Sequence, residues 1–295
     1  MPTKGYSFTL FQVERYDATP VRRCGGKRKH ANFAPDIPPM PHTRLHLKQT
    51  ESTNDVGGQW LKTAKAGEIL TAWTSDQTRG RGQRGNTWDQ RPGLDLALTV
   101  AVKWPTEAPP RDPVVLNKSV TGGIREAIAG LLNEEPAVCS VGIKWPNDIL
   151  IQNTDQRWLK CAGILIENTW RGTDWDGTLI GVGVNVNSMH AGANRRCALG
   201  EFTPSPLTVG DVADRLSQHI VHALEATGSP LSYESHLVGF GESKRLSVQG
   251  LSGMGTVTGV NAHGALELAW TPEGGTTRAL SVERSDALQW DWLWK

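Results

Sequence analysis

Short apolar runs recur along the chain and predict a series of β-strands. Leu45 and Leu47 alternate with polar residues, which predicts a strand that begins near Arg44. Further apolar runs of strand length follow through the middle of the chain, at residues 69–73, 94–102, 149–151, 162–166 and 179–186. This clustering of strands predicts a mixed β-sheet.

Apolar positions at helical spacing predict three helices between these strands. The first follows the first strand, where Ser52 and Thr53 are typical N-terminal caps. Its apolar face is formed by Val56, Trp60, Leu61 and Ala64. Two longer helices are predicted at residues 114–132 and 208–226. Helices packed on a mixed sheet make an α+β domain, which we expect to extend over residues 44–240.

The two ends of the chain differ from this central region. Residues 1–43 carry a basic patch and a Pro-rich stretch without a sustained helical or strand period, which predicts a disordered or loosely attached tail. Residues 241–295 contain short strand-like runs separated by glycines. This pattern predicts a small, all-β C-terminal module.

Composition narrows the class of protein. The chain has 295 residues, 38% of them hydrophobic, and a formal net charge of +1, which argues against charge-driven binding of the whole molecule to nucleic acid or to a membrane. Neither a membrane span nor a secretory signal is apparent, so we expect a cytoplasmic protein. The irregular spacing of the cysteines predicts neither a disulfide framework nor a zinc site. These are Cys24, Cys139, Cys161 and Cys197.

Residues 77–88, QTRGRGQRGNTW, concentrate glycine and positive charge. Their glycines satisfy the GxGxxG pattern of dinucleotide-binding folds, but turn-forming residues follow where that fold needs a helix, so a long loop is predicted. Between Gln77 and Arg91, four arginines, at positions 79, 81, 84 and 91, accompany a single acid, Asp89. This excess predicts a phosphate or carboxylate ligand. A solvated surface loop and an RNA-binding segment are the alternatives.

Two further segments place charged groups beside apolar runs. Residues 142–151, GIKWPNDILI, interrupt two apolar stretches with polar side chains, although Asp148 also suits a simple turn cap. Lys160 interrupts the apolar run WLKCAGILIE at residues 158–167. A lysine on a mostly buried strand either extends its ammonium group to water or meets an anion.

Gly181 and Gly183 lie on one face of the strand predicted at residues 179–186. The absence of side chains there allows either a ligand or another backbone to approach. Motifs of three common enzyme classes are missing from the sequence, namely the phosphate loop, the HExxH zinc helix and the GxSxG nucleophile elbow.

Taken together and in order, five segments resemble the biotin protein ligases. They are STN at 52–54, QTRGRGQRGNTW at 77–88, KWPND at 144–148, KCAGILIE at 160–167 and GVGVN at 181–185. The resemblance covers residues 44–295, and the glycine-rich C-terminal module resembles the small SH3-like β-barrel of many such ligases. It implies an enzyme that joins biotin to the α-phosphate of ATP and then transfers biotin to a lysine of a biotin carboxyl carrier protein.

The resemblance also implies roles for individual residues. Lys160 and Arg81 would be catalytic, because fixed cations offset the repulsion between carboxylate and phosphate. Biotin would contact Ser52, Thr53, Asn54, Gln77, Gly80, Arg81, Gly82, Gln83, Lys160 and Gly181. ATP or the adenylate would contact Arg84, Trp88, Lys144, Asn147, Asp148, Gly183 and Asn185, with Asp148 also holding Mg²⁺.

The sequence departs from the family pattern at one position, and it leaves alternative functions open. Many members of the family have a basic residue where this chain has Gln83, which predicts weaker retention of the adenylate. Residues 1–43 are too short and aperiodic for the helices of a DNA-binding module, so we expect no repressor function. A homodimer is compatible with the family resemblance. A lipoate protein ligase and a nucleic-acid-binding protein are the alternative functions.

Overall fold

The computed structural model describes residues 40–105, 112–132, 140–189, 195–225, 233–290 and 293, and the backbone of residues 11–15. Its largest element is an eight-stranded sheet. The strands are β1 (Phe11–Arg15), β2 (His42–Leu47), β3 (Ile69–Thr74), β6 (Leu96–Lys103), β7 (Ser140–Lys144), β8 (Asp148–Gln152), β9 (Trp158–Arg171) and β10 (Asp174–Val184). A separate two-stranded hairpin consists of β4 (Gly80–Arg81) and β5 (Thr87–Trp88).

The strands of the large sheet are ordered β1-β2-β3-β6-β10-β9-β8-β7. β2 and β3 are parallel and the other neighbouring pairs are antiparallel, so the predicted mixed sheet is confirmed. The parallel pair is joined through helix α1 (Thr53–Leu61), as a parallel connection requires a crossover.

Two apolar layers cover the two faces of the sheet. Helices α2 (Pro113–Leu131) and α3 (Val209–Glu225) pack on one face, where fully buried residues such as Val100 and Ile124 belong to the main core. Helix α1 covers the other face through a smaller cluster that includes Leu61 and Leu70. The α+β class predicted from the sequence is therefore confirmed.

Several element boundaries differ from the sequence-based prediction. No element was predicted before Arg44, yet β1 pairs with β2, which itself begins at His42. Helix α1 ends at Leu61, so Ala64 lies beyond it. β7 was not predicted, because Ser140–Lys144 offers only a five-residue run at the sheet edge. Within the predicted 1–43 tail, the remaining residues up to 39, including Cys24, lie outside the described residues, as does Cys139.

The C-terminal module is a five-stranded antiparallel sheet, which confirms its predicted all-β composition. Its strands are ordered β14-β13-β12-β11-β15. They are β11 (Ser243–Val248), β12 (Leu251–Val260), β13 (Leu266–Pro272), β14 (Arg278–Val282) and β15 (Leu288–Gln289). The module contacts the domain built on the eight-stranded sheet through Lys118 of α2, whose Nζ donates to the carbonyl oxygen of Val260 at 2.8 Å. Within the described part of the chain, no helix is long and apolar enough to cross a membrane.

A series of hydrogen-bonded polar side chains joins β2, β3 and α3, and it includes the partly buried His42. His42 Nε2 lies 2.8 Å from Thr71 Oγ1, which lies 2.8 Å from Ser217 Oγ. Burial, assisted by the charge of Arg44, lowers the pKa of the His42 imidazole from 6.5 to about 4. The folded state therefore resists protonation of this ring.

We expect acid to destabilise the protein through His42. Because the pKa of His42 is lower in the folded state than in the unfolded state, acid protonates the unfolded state first. The contribution of neutral His42 to the free energy of unfolding is complete above about pH 6.5. It is lost as the pH falls toward about 4, for a total of about 3 kcal/mol. Urea unfolding measured at intervals across this window should show the loss. His42→Gln, which can hydrogen-bond to Thr71 without titrating, should have a shallower pH dependence; a parallel dependence would exclude His42 as the cause.

Candidate active site

A cleft of about 720 Å³ opens where the carboxyl half of β10, the start of β9, the β7–β8 turn and the β4–β5 hairpin meet. Almost all the site residues predicted from the sequence line this cleft. They are Ser52, Thr53, Asn54, Gln77, Arg81, Gly82, Gln83, Arg84, Trp88, Lys144, Asn147, Asp148, Lys160, Gly181 and Gly183. Segments more than a hundred residues apart in sequence thus converge on one space.

The N-terminal turn of α1 supplies a buried polar network at one end of the cleft. Ser52 occupies the N-cap position, but its side chain does not cap the helix. Instead, Gln77 Oε1 accepts a hydrogen bond from the backbone N–H of Thr53 at 2.8 Å. Asn54 Nδ2 donates to Glu167 Oε2 at 2.6 Å, and Thr99 Oγ1 lies 2.6 Å from Asn54 Oδ1. These contacts hold neutral polar groups of the helix terminus against the cleft.

The arginine-rich segment is a short hairpin rather than the long loop predicted from the sequence. A Cβ at Gly80 would clash with the carbonyl oxygen of Trp88 on the facing strand, so only glycine allows this pairing. Arg81 forms an ion pair with Asp55 at 2.7 Å. Arg84, at a positive φ of 57°, forms an ion pair with Asp286 of the C-terminal module at 2.9 Å. Acidic neighbours therefore hold both arginines at the cleft.

Two lysines and one carboxylate form the charged centre of the cleft. Lys160 Nζ lies 2.6 Å from Asp148 Oδ1, and Lys144 Nζ lies 3.8 Å from Asp148 Oδ2. Burial lowers the pKa of Lys144, as do the cations Lys160 and Arg195, whereas Asp148 acts to raise it. Two cations close together in a partly desolvated site are poised to stabilise an anionic ligand.

The turn that carries this charged centre is held by contacts outside the sheet. Trp145 Nε1 donates to the carbonyl oxygen of Gly264 in the C-terminal module at 3.0 Å. Tyr233 Oη donates to the carbonyl oxygen of Pro146 at 2.9 Å, and burial raises the pKa of this phenol well above its ordinary value. The neutral hydroxyl therefore remains a donor, which keeps the turn in place at any physiological pH.

Asp148, the residue predicted to hold Mg²⁺, already has cationic partners. Both carboxylate oxygens face lysine ammonium groups, as described above. Among the residues that the structure describes, no group of three or more His, Cys, Asp or Glu side chains could hold a metal ion. Mg²⁺ usually binds one or two carboxylates and phosphate oxygens. Because ammonium groups occupy both oxygens of Asp148, this carboxylate does not fit a protein-held Mg²⁺.

Gly163 and Gly183 form the floor of the cleft, and the indole ring of Trp88 lies on them. Cβ atoms at Gly163 and Gly183 would press into the ring of Trp88, and Lys160 Nζ lies 5.5 Å from the ring centroid. The indole Nε1 is buried and has no hydrogen-bond partner in the described structure. A flat aromatic face beside a lysine is suited to stacking on another ring.

Two predicted site residues do not line the cleft, and the side chain of a third already donates a hydrogen bond to the backbone. Gly80 serves the hairpin contact rather than the cleft surface. Asn185 is buried, and its Nδ2 donates to the carbonyl oxygen of Cys197 at 3.0 Å. Asn147 lines the cleft, but its Nδ2 donates to the carbonyl oxygen of Ile164. The family resemblance implied that Asn147 and Asn185 contact the nucleotide, and in this structure both side-chain amides donate to backbone carbonyl oxygens.

Comparison with known proteins shows the fold and a similarity to one family. A model described as the Biotin/lipoate A/B protein ligase family matches residues 47–185, slightly less than half of the chain. The Bifunctional ligase/repressor BirA of Bacillus spizizenii is 27% identical over 236 residues, covering 72% of this chain and 64% of that protein. The chain therefore spans less than two thirds of this relative's length.

Two other proteins are similar to different extents of this chain. The Biotin--[acetyl-CoA-carboxylase] ligase of Paracoccus denitrificans is 30% identical over 167 residues, or 55% of this chain and 61% of that protein. The biotin protein ligase from Aquifex aeolicus in complex with biotin and ATP superimposes with a TM-score of 0.62 over 84% of this chain and 99% of that chain, at 22% identity. At this identity, the superposition shows a shared fold.

Several cleft residues lie outside both the family match and the sequence-based prediction. Ser285 and Asp286 reach the cleft from the C-terminal module, beyond the end of the family match at residue 185. Arg196 adds a cation near Asp89, at 3.9 Å. No local sequence pattern marks Asp286, because its contact with Arg84 joins residues about two hundred positions apart. Glu167, which lies inside the family match and does not line the cleft, closes the KCAGILIE segment and accepts a hydrogen bond from the cleft residue Asn54.

Proposed function

We propose that this protein is an ATP-dependent biotin protein ligase that forms biotinyl-5′-AMP and transfers biotin to a lysine of a carboxylase carrier domain. One observation carries the proposal: a neutral polar network and a paired lysine centre face the same cleft. The network lies at Ser52, Thr53 and Gln77, and the charged centre lies at Lys160 and Lys144. Biotin has the matching polarity, with an uncharged cyclic urea at one end and a carboxylate at the other.

The first step requires two anions to approach each other. An oxygen of the biotin carboxylate attacks the α-phosphorus of ATP, forming an acyl phosphate bond while the bond to the β-phosphate breaks and pyrophosphate leaves. Lys160, held by Asp148, would lie between carboxylate and phosphate, with Lys144 behind it. Cations already fixed in position need little reorganisation as the negative charge develops.

In the second step the lysine amine of the carrier attacks the acyl carbon of the adenylate. The amide bond forms, the bond from the acyl carbon to the phosphate oxygen breaks, AMP leaves, and the amine loses a proton. The tetrahedral centre carries negative charge beside the same Lys160 ammonium group. The proposed carrier is consistent with the similarity to the Paracoccus denitrificans protein, which is named a biotin ligase for acetyl-CoA carboxylase.

Incorporation of radiolabelled biotin into an isolated carrier domain, with and without ATP, tests the proposal. Label should appear only with ATP and should be absent when the acceptor lysine of the carrier is replaced. Pyrophosphate exchange into ATP, driven by free biotin or free lipoic acid, separates the two ligase classes. The dithiolane ring of lipoate has no donors or acceptors to satisfy Thr53 and Gln77, so biotin should be the better substrate. Exchange driven by lipoate alone would contradict the proposal.

Arg81 and Arg91 form a matched pair in the same segment. Arg81 lines the cleft, whereas Arg91 does not. We expect Arg81→Ala to weaken binding of biotin and adenylate about ten- to a hundredfold, which corresponds to the loss of one charge-assisted hydrogen bond. Arg91→Ala should change affinity by less than about twofold. Calorimetric titration measures both, and equal affinities of the two variants would remove Arg81 from the binding site.

A further inference from the structure

Arg196 is a cation of the cleft to which the two proposed steps assign no role. It lines the cleft beside Lys160, because the two residues form a parallel β-bridge in which the Cys197 N–H donates to the carbonyl oxygen of Lys160 at 3.0 Å. Residues paired in this way carry their side chains on the same face of a sheet. The guanidinium group of Arg196 therefore lies on the face that carries the ammonium group of Lys160.

The position of Arg196 along the cleft follows from the strands that form its floor. Gly181 of β10 lies against Asn54, at the end of the cleft that contains the neutral network. Two residues further along β10, the facing residue of β9 is Gly163, and a Cβ there would be 3.3 Å from Lys160 Nζ. β10 then ends, and the segment of Arg196 becomes the neighbour of β9. The neutral network, the Lys160 ammonium group and Arg196 thus follow one another along the cleft.

The chemistry of the first step requires positive charge beyond Lys160. When an oxygen of the biotin carboxylate bonds to the α-phosphorus, the bond from this phosphorus to the oxygen shared with the β-phosphate breaks, and its electron pair leaves with pyrophosphate. The attacking and leaving oxygens are roughly in line through the phosphorus. With the biotin ring at the neutral network and the α-phosphate at Lys160, pyrophosphate lies on the far side of Lys160, where Arg196 is located.

The surroundings of Arg196 suit a second anion. Its Nη1 lies 3.9 Å from Asp89 Oδ2, and the Asp89 side chain is 79% exposed. Ion pairs this long and this exposed contribute little to stability, so an anionic ligand can compete for the guanidinium group. The pKa of Lys144 is lowered by its burial and also by the charge of Arg195, which places a second arginine of this segment near the charged centre. The segment therefore adds positive charge beyond the lysine pair.

We propose that Arg196 is a catalytic residue that binds the pyrophosphate group of ATP and stabilises the negative charge that this group gains as it leaves. The inference rests on the proposed function and assigns one part of its substrate to a residue of this chain. The role differs from that of Lys160, which lies beside negative charge in both steps. Pyrophosphate has left before the second step begins, so Arg196 acts in the first step alone.

Single-turnover rates of the two half-reactions test this assignment. Arg196→Ala should form the adenylate about ten- to a hundredfold more slowly, as expected for the loss of a charge-assisted hydrogen bond. It should also need about ten- to a hundredfold more pyrophosphate to convert preformed biotinyl adenylate back to ATP and biotin. Transfer from preformed adenylate to the carrier domain should stay within about twofold of wild type, which also shows that the variant is folded.

Three further variants separate this role from a structural one. Arg171→Ala removes an exposed arginine that pairs with Asp176 at 3.4 Å but does not line the cleft, and both half-reactions should be unchanged. Asp89→Asn removes the ion pair of Arg196 and keeps its charge, so it should bind pyrophosphate at least as tightly as wild type. Arg196→Gln, which keeps a long polar side chain without the charge, should show the defect even if Arg196→Ala does not fold.

The outcomes distinguish failure of this inference from failure of the proposed function. Equal losses in both half-reactions, or the same defect in Asp89→Asn, would show that Arg196 has a structural role. Wild-type rates of adenylate formation in the Arg196 variants would remove it from the reaction. Each of these results would overturn the inference alone. Wild-type protein that forms no adenylate from biotin and ATP would overturn the proposed function together with it.

Discussion

Lys160→Ala should slow formation of the adenylate by about a hundred- to a thousandfold, the usual effect of removing a preorganised electrostatic contact in a transition state. Binding of ATP should change much less, because Lys144 and the hairpin arginines remain in the cleft. The mutant supplied with preformed biotinyl adenylate should also acylate the carrier slowly, since both steps pass negative charge beside Lys160. Single-turnover measurements of the two half-reactions resolve these effects.

The chain contains a matched control for this substitution. Lys103 is a strand lysine that forms an ion pair with Asp176 at 2.7 Å, comparable to the 2.6 Å pair of Lys160 with Asp148, but it does not line the cleft. Lys103→Ala should lower stability and leave both half-reactions within about twofold of wild type. Near wild-type rates in folded Lys160→Ala would show that its ion pair is structural.

Gly181→Ala should abolish most of the biotin affinity, by about a hundredfold, while ATP affinity is retained. An added Cβ would clash with Asn54 Oδ1 and would lie 3.0 Å from Asn54 Cγ. Asn54 cannot move without losing its hydrogen bonds to Glu167 and Thr99, each worth about 1–3 kcal/mol when a buried group is left unpaired. Separate calorimetric titrations with biotin and with ATP measure the two affinities.

Gly259→Ala in β12 is the appropriate comparison. It also adds a methyl group within a strand, but no atom lies within 4 Å of the added Cβ. Both affinities should remain at the wild-type level in this variant. Unchanged biotin affinity in Gly181→Ala would mean that biotin binding does not depend on the present position of Asn54.

Elements whose side chains face the core could be predicted from the sequence, and those determined by backbone pairing could not. The apolar run of residues 162–166 predicted the buried part of β9, but the strand extends from Trp158 to Arg171. Beyond Ile166 the side chains are polar or exposed, and pairing with β10 continues the strand. Hydrophobic periodicity reports burial, so it ends where the core ends even though the hydrogen-bonded ladder continues.

The candidate site shows the same division between local and long-range information. The residue types and their order were enough to assemble most of the cleft, but not to predict partners across it. Lys160 appeared as a lone cation in an apolar run, whereas the structure pairs it with Asp148 through the adjacent strands β8 and β9. The contact of Arg84 with Asp286 depends on how two sheets pack, which no short segment of sequence encodes.

The C-terminal sheet touches the cleft at two separate places, and this links its docking to ligand binding. Trp145 connects it to the turn that carries Lys144 and Asp148, and Asp286 connects it to Arg84. If docking of the module improves the affinity of the cleft for a nucleotide by some factor, the nucleotide must strengthen docking by the same factor, because the two equilibria form one thermodynamic cycle. Under that condition, occupancy of the cleft and docking of the C-terminal module would stabilise each other.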